Sequence, residues 1–165
     1  MKHTLLILLF LLPLAGFAQT NLPGWDEFRS DRFGFTMKYP DQWNVNEISN
    51  GIYNFKNPYV RLGTFQLAVT DQGDSMRAKV ALQHIADDNE GGSINTLADK
   101  EALVYKSMSV QSGVTIEVHH WVFTHENYLF HFTYSFDSSL MHAPNLMEER
   151  KQAYQVIETL NFMKQ

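Results

Sequence analysis

The sequence predicts an α+β fold in which helices pack on an antiparallel β-sheet, and three patterns predict it. Alternating apolar and polar residues mark several short strands, most sharply over 33–39. Two segments, 76–86 and 145–160, carry apolar residues at helical spacing. A long aromatic hairpin over 114–136 separates the two helices, and this order of elements favours an antiparallel sheet over a regularly alternating parallel one.

Composition favours one soluble domain and argues against several functional classes. The chain has 165 residues, of which 44% are hydrophobic, with 13 basic and 18 acidic side chains and a formal net charge of −5. No nucleic-acid partner is expected, because a phosphate-binding surface needs clustered Lys and Arg. Without cysteine the chain has no disulfide, thiol nucleophile, iron–sulfur cluster or CxxC zinc site.

The first 18 residues, MKHTLLILLFLLPLAGFA, have the layout of a secretory signal peptide. Lys2 supplies the positive charge, Leu5–Leu14 is apolar, and Gly16-Phe17-Ala18 is a small–x–small cleavage signature. The alternative is an uncleaved membrane anchor, but the apolar run is shorter than the roughly 20 residues that span a bilayer. We therefore expect cleavage near Ala18 and an exported product, periplasmic or secreted, with no membrane insertion of the mature chain.

A single domain is predicted over 28–165, after a loose N-terminal leader at 19–27. Pro40 ends the first strand because proline cannot donate to a sheet ladder, and Trp43 follows the turn as a residue that fills the core. Alternation predicts further strands at Trp43–Val45, Ile52–Lys56, Leu62–Thr70 and Ala102–Val110.

Both helices have a predicted start. Asp74 or Ser75 is the predicted N-cap of a helix from Met76 to about Ala86, and Asn145 with Glu148 forms a capping box for the second helix. The residues predicted to face the core are Ala78, Ala81, Leu82 and Ile85 in the first helix and Leu146, Ala153, Ile157 and Leu160 in the second, with Phe162 docking the chain end.

A three-residue loop, His125-Glu126-Asn127, is predicted between the strands of the hairpin. This loop pairs Val122 with Phe130 and His120 with Phe132, which makes one face almost wholly apolar, and register follows the hydrophobic pattern. The loop also needs its last residue in the left-handed conformation, which asparagine tolerates.

The segment from Phe33 to Val45, FGFTMKYPDQWNV, resembles the opening signature of the PsbP-like superfamily. That resemblance implies the MOG/PsbP α/β/α sandwich, and it points to small bacterial exported proteins of the DcrB type. It implies no shared catalytic residues, because the family includes assembly factors, photosystem accessory subunits and binding modules. DcrB-type proteins are commonly lipoproteins, and this chain has no cysteine to acylate, so we expect it not to be a lipoprotein.

Four hairpin residues are weak candidates for a ligand or partner surface. In the predicted register His119 and His131 share a face, with Trp121 opposite His131 and Glu117 nearby. Two imidazoles and a carboxylate could bind zinc or copper, but a polar, partly exposed sheet face is the favoured interpretation, and no metal or cofactor is predicted. Trp121 and Phe123 are core residues if helices cover this face, which is favoured, and a partner surface if it is open.

Gly73-Asp74-Ser75 resembles the GDS block of SGNH hydrolases, and it lies between a predicted strand and a helix, where such serines are displayed. Those hydrolases also need a late Asp-x-x-His, which this sequence lacks. A helix cap explains Asp74 and Ser75 without catalysis.

The sequence therefore predicts a non-enzymatic exported protein that binds a protein or small ligand in the cell envelope. A small serine hydrolase using Ser75 and a metal-handling periplasmic protein using His119 and His131 are the alternatives. No catalytic residue is assigned.

Overall fold

A computed structural model describes residues 24–60 and 62–164, so the predicted signal peptide at 1–18 lies outside the described residues. Seven antiparallel strands form the main sheet, in the order β3-β4-β5-β9-β8-β7-β6. The bounds of these strands are Asn44–Ser49 (β3), Ile52–Lys56 (β4), Gly63–Asp71 (β5), Ser93–Leu97 (β6), Lys100–Gln111 (β7), Val114–His125 (β8) and Tyr128–Asp137 (β9).

A second, smaller sheet packs against the main one. Its strands are β1 (Trp25–Ser30), β2 (Phe35–Pro40) and β10 (Asn161–Phe162), in the order β1-β2-β10. The predicted leader at 19–27 is thus wrong for residues 25–27, because they pair with the end of β2 in a regular antiparallel ladder. The ring of Phe28, which follows them, packs 5.6 Å from the ring of Phe55 in the main sheet.

Each face of the main sheet carries one helix, so the predicted α+β sandwich is confirmed. The inner face packs against the small sheet and α2 (Pro144–Glu158), and the outer face packs against α1 (Ser75–Asp88). The largest fully buried side chains of the inner core are Trp121, Tyr134, Phe35, Phe55, Phe65, Phe123, Phe130, Phe132 and Met37. A smaller core beneath α1 contains Leu82, Leu103, Tyr105, Val122 and Leu129.

The predicted hairpin register is wrong by one residue. His125 pairs with Tyr128, so the loop has two residues, Glu126 and Asn127, and Glu126 rather than Asn127 has a positive φ of 51°. Val122 lies opposite His131. The prediction assumed one apolar face, whereas both faces of this hairpin pack against a core, and each strand therefore sends apolar side chains in both directions.

The predicted helices are confirmed, but only one of their caps is. The Asp74 side chain accepts a hydrogen bond from the Arg77 amide at 2.8 Å, as expected of an N-cap. The N-cap of α2 is Ala143, which makes no side-chain bond, and Pro144 opens the helix because its missing N–H would be unpaired there anyway. The predicted capping box of Asn145 and Glu148 is therefore wrong.

Candidate functional site

The four residues predicted to share a surface lie on opposite faces of the main sheet. Trp121, His119 and Glu117 point inward and are 1%, 3% and 5% exposed, whereas His131 belongs to the outer face. The one-residue shift in register causes this separation, since it moves one strand's side chains to the other face. Trp121 is a core residue, and His119 and His131 cannot share a metal ion.

His119 makes two hydrogen bonds, one within β8 and one that links the main sheet to α2. Its Nε2 lies 2.6 Å from Oε1 of Glu117, and its Nδ1 lies 2.8 Å from the Tyr154 hydroxyl on α2. Because an ionised carboxylate can only accept, Nε2 of His119 carries the proton, and the Tyr154 hydroxyl donates to Nδ1. Lys106 Nζ, near the protein surface, lies 3.5 Å from the same carboxylate oxygen.

The protonation states of Glu117 and His119 are set by burial and by the groups that they contact. Burial opposes ionisation of Glu117, but the hydrogen bond from His119, together with the charge of Lys106, holds the pKa of Glu117 below its ordinary value. Burial lowers the pKa of His119 and keeps its imidazole neutral, although Glu117 acts in the opposite direction. A neutral imidazole between a carboxylate and a phenol has both of its ring nitrogens hydrogen-bonded, and the bond to Tyr154 fastens α2 to the sheet.

A second hydrogen-bonded chain lies on the outer face and joins three strands. Ser107 Oγ on β7 lies 2.8 Å from Nε2 of His120 on β8, and Nδ1 of His120 lies 2.9 Å from Nε2 of His131 on β9. The Tyr105 ring stacks on His120 with 4.1 Å between centroids and a 4° interplanar angle. The predicted register placed these two histidines on different faces, with His131 as a candidate and His120 on the apolar face.

This chain has the connectivity of a nucleophile, a base and an orienting group, but His120 is a weak base. Burial lowers the pKa of His120 to about 4, and the neighbouring His131 and His119 contribute smaller shifts in the same direction. A general base works best when its pKa lies near the operating pH. The network of Ser107, His120 and His131 is therefore best suited to hold uncharged hydrogen-bond donors and acceptors at fixed positions on the sheet.

We expect the His131→Asn substitution to raise the pKa of His120, because it removes a neighbouring imidazole that disfavours the imidazolium. The measurement is a titration of the imidazole ¹⁵N resonances by NMR. His84→Asn, on the exposed side of α1, is the matched control and should leave the pKa of His120 unchanged. The same pKa of His120 in wild type and His131→Asn would contradict this coupling.

Beyond α1, the described residues 24–60 and 62–164 leave the outer face open, and it carries two cavities that share Thr64. One, of about 340 Å³, lies over β3, β4 and the start of β5, and the other, of about 420 Å³, extends across β5, β9, β8 and the end of β7. We call the two together the outer groove. Its described lining residues are Asn44, Asn46, Lys56, Asn57, Pro58, Leu62, Gly63, Thr64, Gln111, Ile116, Val118, Thr133, Ser135, Phe136 and Asp137.

The outer groove was not predicted from sequence, although a signal for it exists. The polar positions of β5 and β9 alternate with the aromatic ones, and strand pairing brings them together: Thr64 lies opposite Ser135, and Gln66 lies opposite Thr133. Gln66 also donates to Asn54 Oδ1 on β4 at 2.8 Å. The polar residues of these two strands therefore form one surface, but only because the strands are neighbours in the sheet.

Two other sequence candidates do not form a site. Ser75 is exposed at the first turn of α1, and Asp74 beside it is occupied as the cap. Within 24–60 and 62–164, no group of three or more His, Asp or Glu side chains is placed to hold a metal ion. Over the same ranges, no helix combines the length and apolar character needed to cross a membrane.

Two proteins of known crystal structure are similar to this chain. A protein from Bacteroides thetaiotaomicron VPI-5482 has a TM-score of 0.71 and 25% identity, and the match covers 86% of this chain and 50% of that one. The chain thus spans half the length of that protein. LpqN of Mycobacterium tuberculosis, which is involved in cell envelope biogenesis, has a TM-score of 0.54 and 14% identity over 85% of this chain and 92% of its own.

The solution structure of cyanobacterial PsbP from Synechocystis sp. PCC 6803 is also similar, with a TM-score of 0.44 and 12% identity over 91% of this chain and 99% of that one. No curated protein matches the chain. A family model described as a domain of unknown function, DUF3805, matches residues 24–165. Since this match includes every residue that the structure describes, the chain belongs to the DUF3805 family.

Proposed function

We propose that the protein is a non-catalytic, exported binding or accessory protein of the cell envelope, and that the outer groove is its binding surface. The observation that carries this proposal is the open half of the outer face. Ligand sites are concave surfaces in which a few polar groups fix orientation, and the outer groove combines hydroxyl and amide groups with apolar Ile116 and Val118.

Three further observations support the cellular setting and the non-catalytic role. The first 18 residues have the layout of a signal peptide, and the similar protein LpqN is involved in cell envelope biogenesis. A hydrolase at Ser75 would need a base beside it, and the described part of the chain provides no imidazole hydrogen-bonded to that serine. The DcrB-type assignment belongs to the same proposal and rests on the opening motif alone.

The absence of cysteine allows a direct test of the groove by site-specific crosslinking. Ser135→Cys places one thiol in the groove, and Ser93→Cys on β6 is the matched control outside its lining. With a benzophenone attached to each thiol, we expect a discrete adduct from an envelope extract of the producing organism only at position 135. Thr64→Trp, which fills the groove, should abolish that adduct.

Three outcomes would contradict the proposal. Identical adducts from both positions, or a groove adduct that survives Thr64→Trp, would show that the groove is not the binding surface. Hydrolysis of nitrophenyl esters that disappears in Ser75→Ala or Ser107→Ala would show that the protein is catalytic.

A further inference from the structure

We propose that the outer groove binds a neutral oligosaccharide. This inference rests on the proposed function and names the ligand class of the same surface. It depends on the chemistry of the lining, the distribution of charge, an exposed tyrosine at the groove and the pairing of the strands beneath it.

The lining carries amide and hydroxyl groups from several strands. Each can both donate and accept hydrogen bonds, which suits the hydroxyl groups of a sugar. The groove crosses six strands, from β3 to β7, and neighbouring strands are about 4.8 Å apart, so it extends for roughly 24 Å. A surface of this length accommodates several linked sugar rings rather than one. Its amides and hydroxyls are Asn44, Asn46, Asn57, Thr64, Gln111, Thr133 and Ser135.

The charges at the groove favour a neutral ligand. Among its described lining residues, Lys56 and Asp137 are the charged ones, and they belong to different cavities. A uniformly charged polymer along the groove would meet a like charge at one of these positions. Unpaired charges are also costly to remove from water. The neutral His120 and His131, beside Thr133 on the same face, add no charge at neutral pH.

Tyr59 provides an aromatic surface next to the groove. Its side chain is 84% exposed, and it directly follows Pro58, which lines the smaller cavity. The Asn57 side chain accepts a hydrogen bond from the Tyr59 amide at 2.9 Å, which fixes this turn. A tyrosine combines an apolar ring with a polar hydroxyl, so it can pack against the C–H face of a sugar and still contact its hydroxyl groups.

The sheet beneath the groove disfavours an extended peptide as the ligand. Peptides that bind to sheets add a strand at an open edge, where backbone groups are unpaired. The central strands of the groove, β4, β5, β9 and β8, are each paired on both sides. A ligand that lies across these four strands must therefore be recognised by side chains, as the hydroxyl groups of a sugar can be.

The test is an NMR titration of the full mature protein with maltohexaose, cellohexaose and chitohexaose. We expect saturable shifts of the backbone amides of groove residues with at least one of them, and weaker binding of an anionic hexagalacturonate. Tyr59→Ala and Thr133→Val should each weaken the binding about tenfold, because they remove a packing surface and a hydrogen-bonding hydroxyl. Met108→Ala, at an exposed inner-face position, is the control and should leave it unchanged.

Failure of this inference is distinguishable from failure of the proposed function. If none of the three neutral hexasaccharides shifts the groove amides at millimolar concentration, or if Tyr59→Ala and Thr133→Val bind like wild type, the oligosaccharide proposal is overturned. A groove-specific crosslink to a protein would still support the proposed function in that case. Stronger binding of hexagalacturonate than of every neutral sugar would also overturn the inference.

Discussion

The Gly63→Ala substitution is expected to lower the free energy of unfolding by about 3 kcal/mol, the upper end of the usual cost of overpacking a core. A Cβ built on Gly63 would overlap the hydroxyl oxygen and Cζ of the Tyr134 ring. Tyr134 has no exposed surface, and its ring packs 5.7 Å from that of Phe136. The ring therefore has no room to move away.

Gly92→Ala is the matched control for this prediction, because Gly92 also has no positive φ. Its Cβ would lie 3.1 Å from the Asn89 carbonyl oxygen and 3.2 Å from Cδ1 of Leu103, so shifts of a few tenths of an ångström would relieve both contacts, and we expect a cost below about 1 kcal/mol. Urea denaturation measures both variants. In a double-mutant cycle, Gly63→Ala should cost less in a Tyr134→Ala background, because the obstructing ring is absent. Equal costs in both backgrounds would contradict the proposed contact.

Local patterns predicted most of the fold because each depends on neighbours in sequence. The alternation around Phe35 predicts β2, and the spacing of Leu146, Ala153 and Ile157 predicts the buried side of α2. β6 was missed because Ser93–Leu97 is a polar strand at the edge of the sheet, with almost no buried side chain and hence no periodic signal.

The hairpin register and the candidate site could not be predicted in the same way. A strand buried on one face shows which side chains point inward, but β8 sends Trp121 to the inner core and Val122 to the core beneath α1. The apolar pattern then fits two registers about equally well. Because the predicted site depended on that register, it joined His119 to His131, whereas the structure joins His120 to His131 and His119 to Tyr154. The outer groove depends on the order of the strands, which no local pattern contains.

The Glu149→Gln substitution is expected to raise the free energy of unfolding by about 2 kcal/mol at pH 8 and to have little effect at pH 4. Glu149 lies on α2 and is 4% exposed, and its Oε2 has no hydrogen-bond partner within the described residues. Burial raises the pKa of Glu149 from 4.5 to about 7, although a hydrogen bond from the Gly63 amide acts in the opposite direction. Glutamine retains the shape and one acceptor of glutamate but never ionises.

The direction of this pH dependence follows from the difference in proton binding. Between pH 4.5 and about 7 the folded state binds more protons at Glu149 than the unfolded state, so the free energy of unfolding falls as the pH rises. Below that window the carboxyl is neutral in both states, and the two side chains are nearly equivalent. Above it, folding must bury a carboxylate whose Oε2 has no partner, and glutamine avoids the cost of burying that charge.

Urea denaturation from pH 4 to pH 8 measures the effect, with Glu148→Gln as the matched control. Glu148 is the exposed neighbour on the same helix, and surface substitutions usually change stability by less than about 0.5 kcal/mol. The stability of Glu149→Gln should therefore diverge from those of wild type and Glu148→Gln as the pH rises. A constant difference between Glu149→Gln and wild type across this range would mean that Glu149 does not titrate within it. The buried carboxyl would then have to be paired in a way that the geometry around Oε2 does not provide.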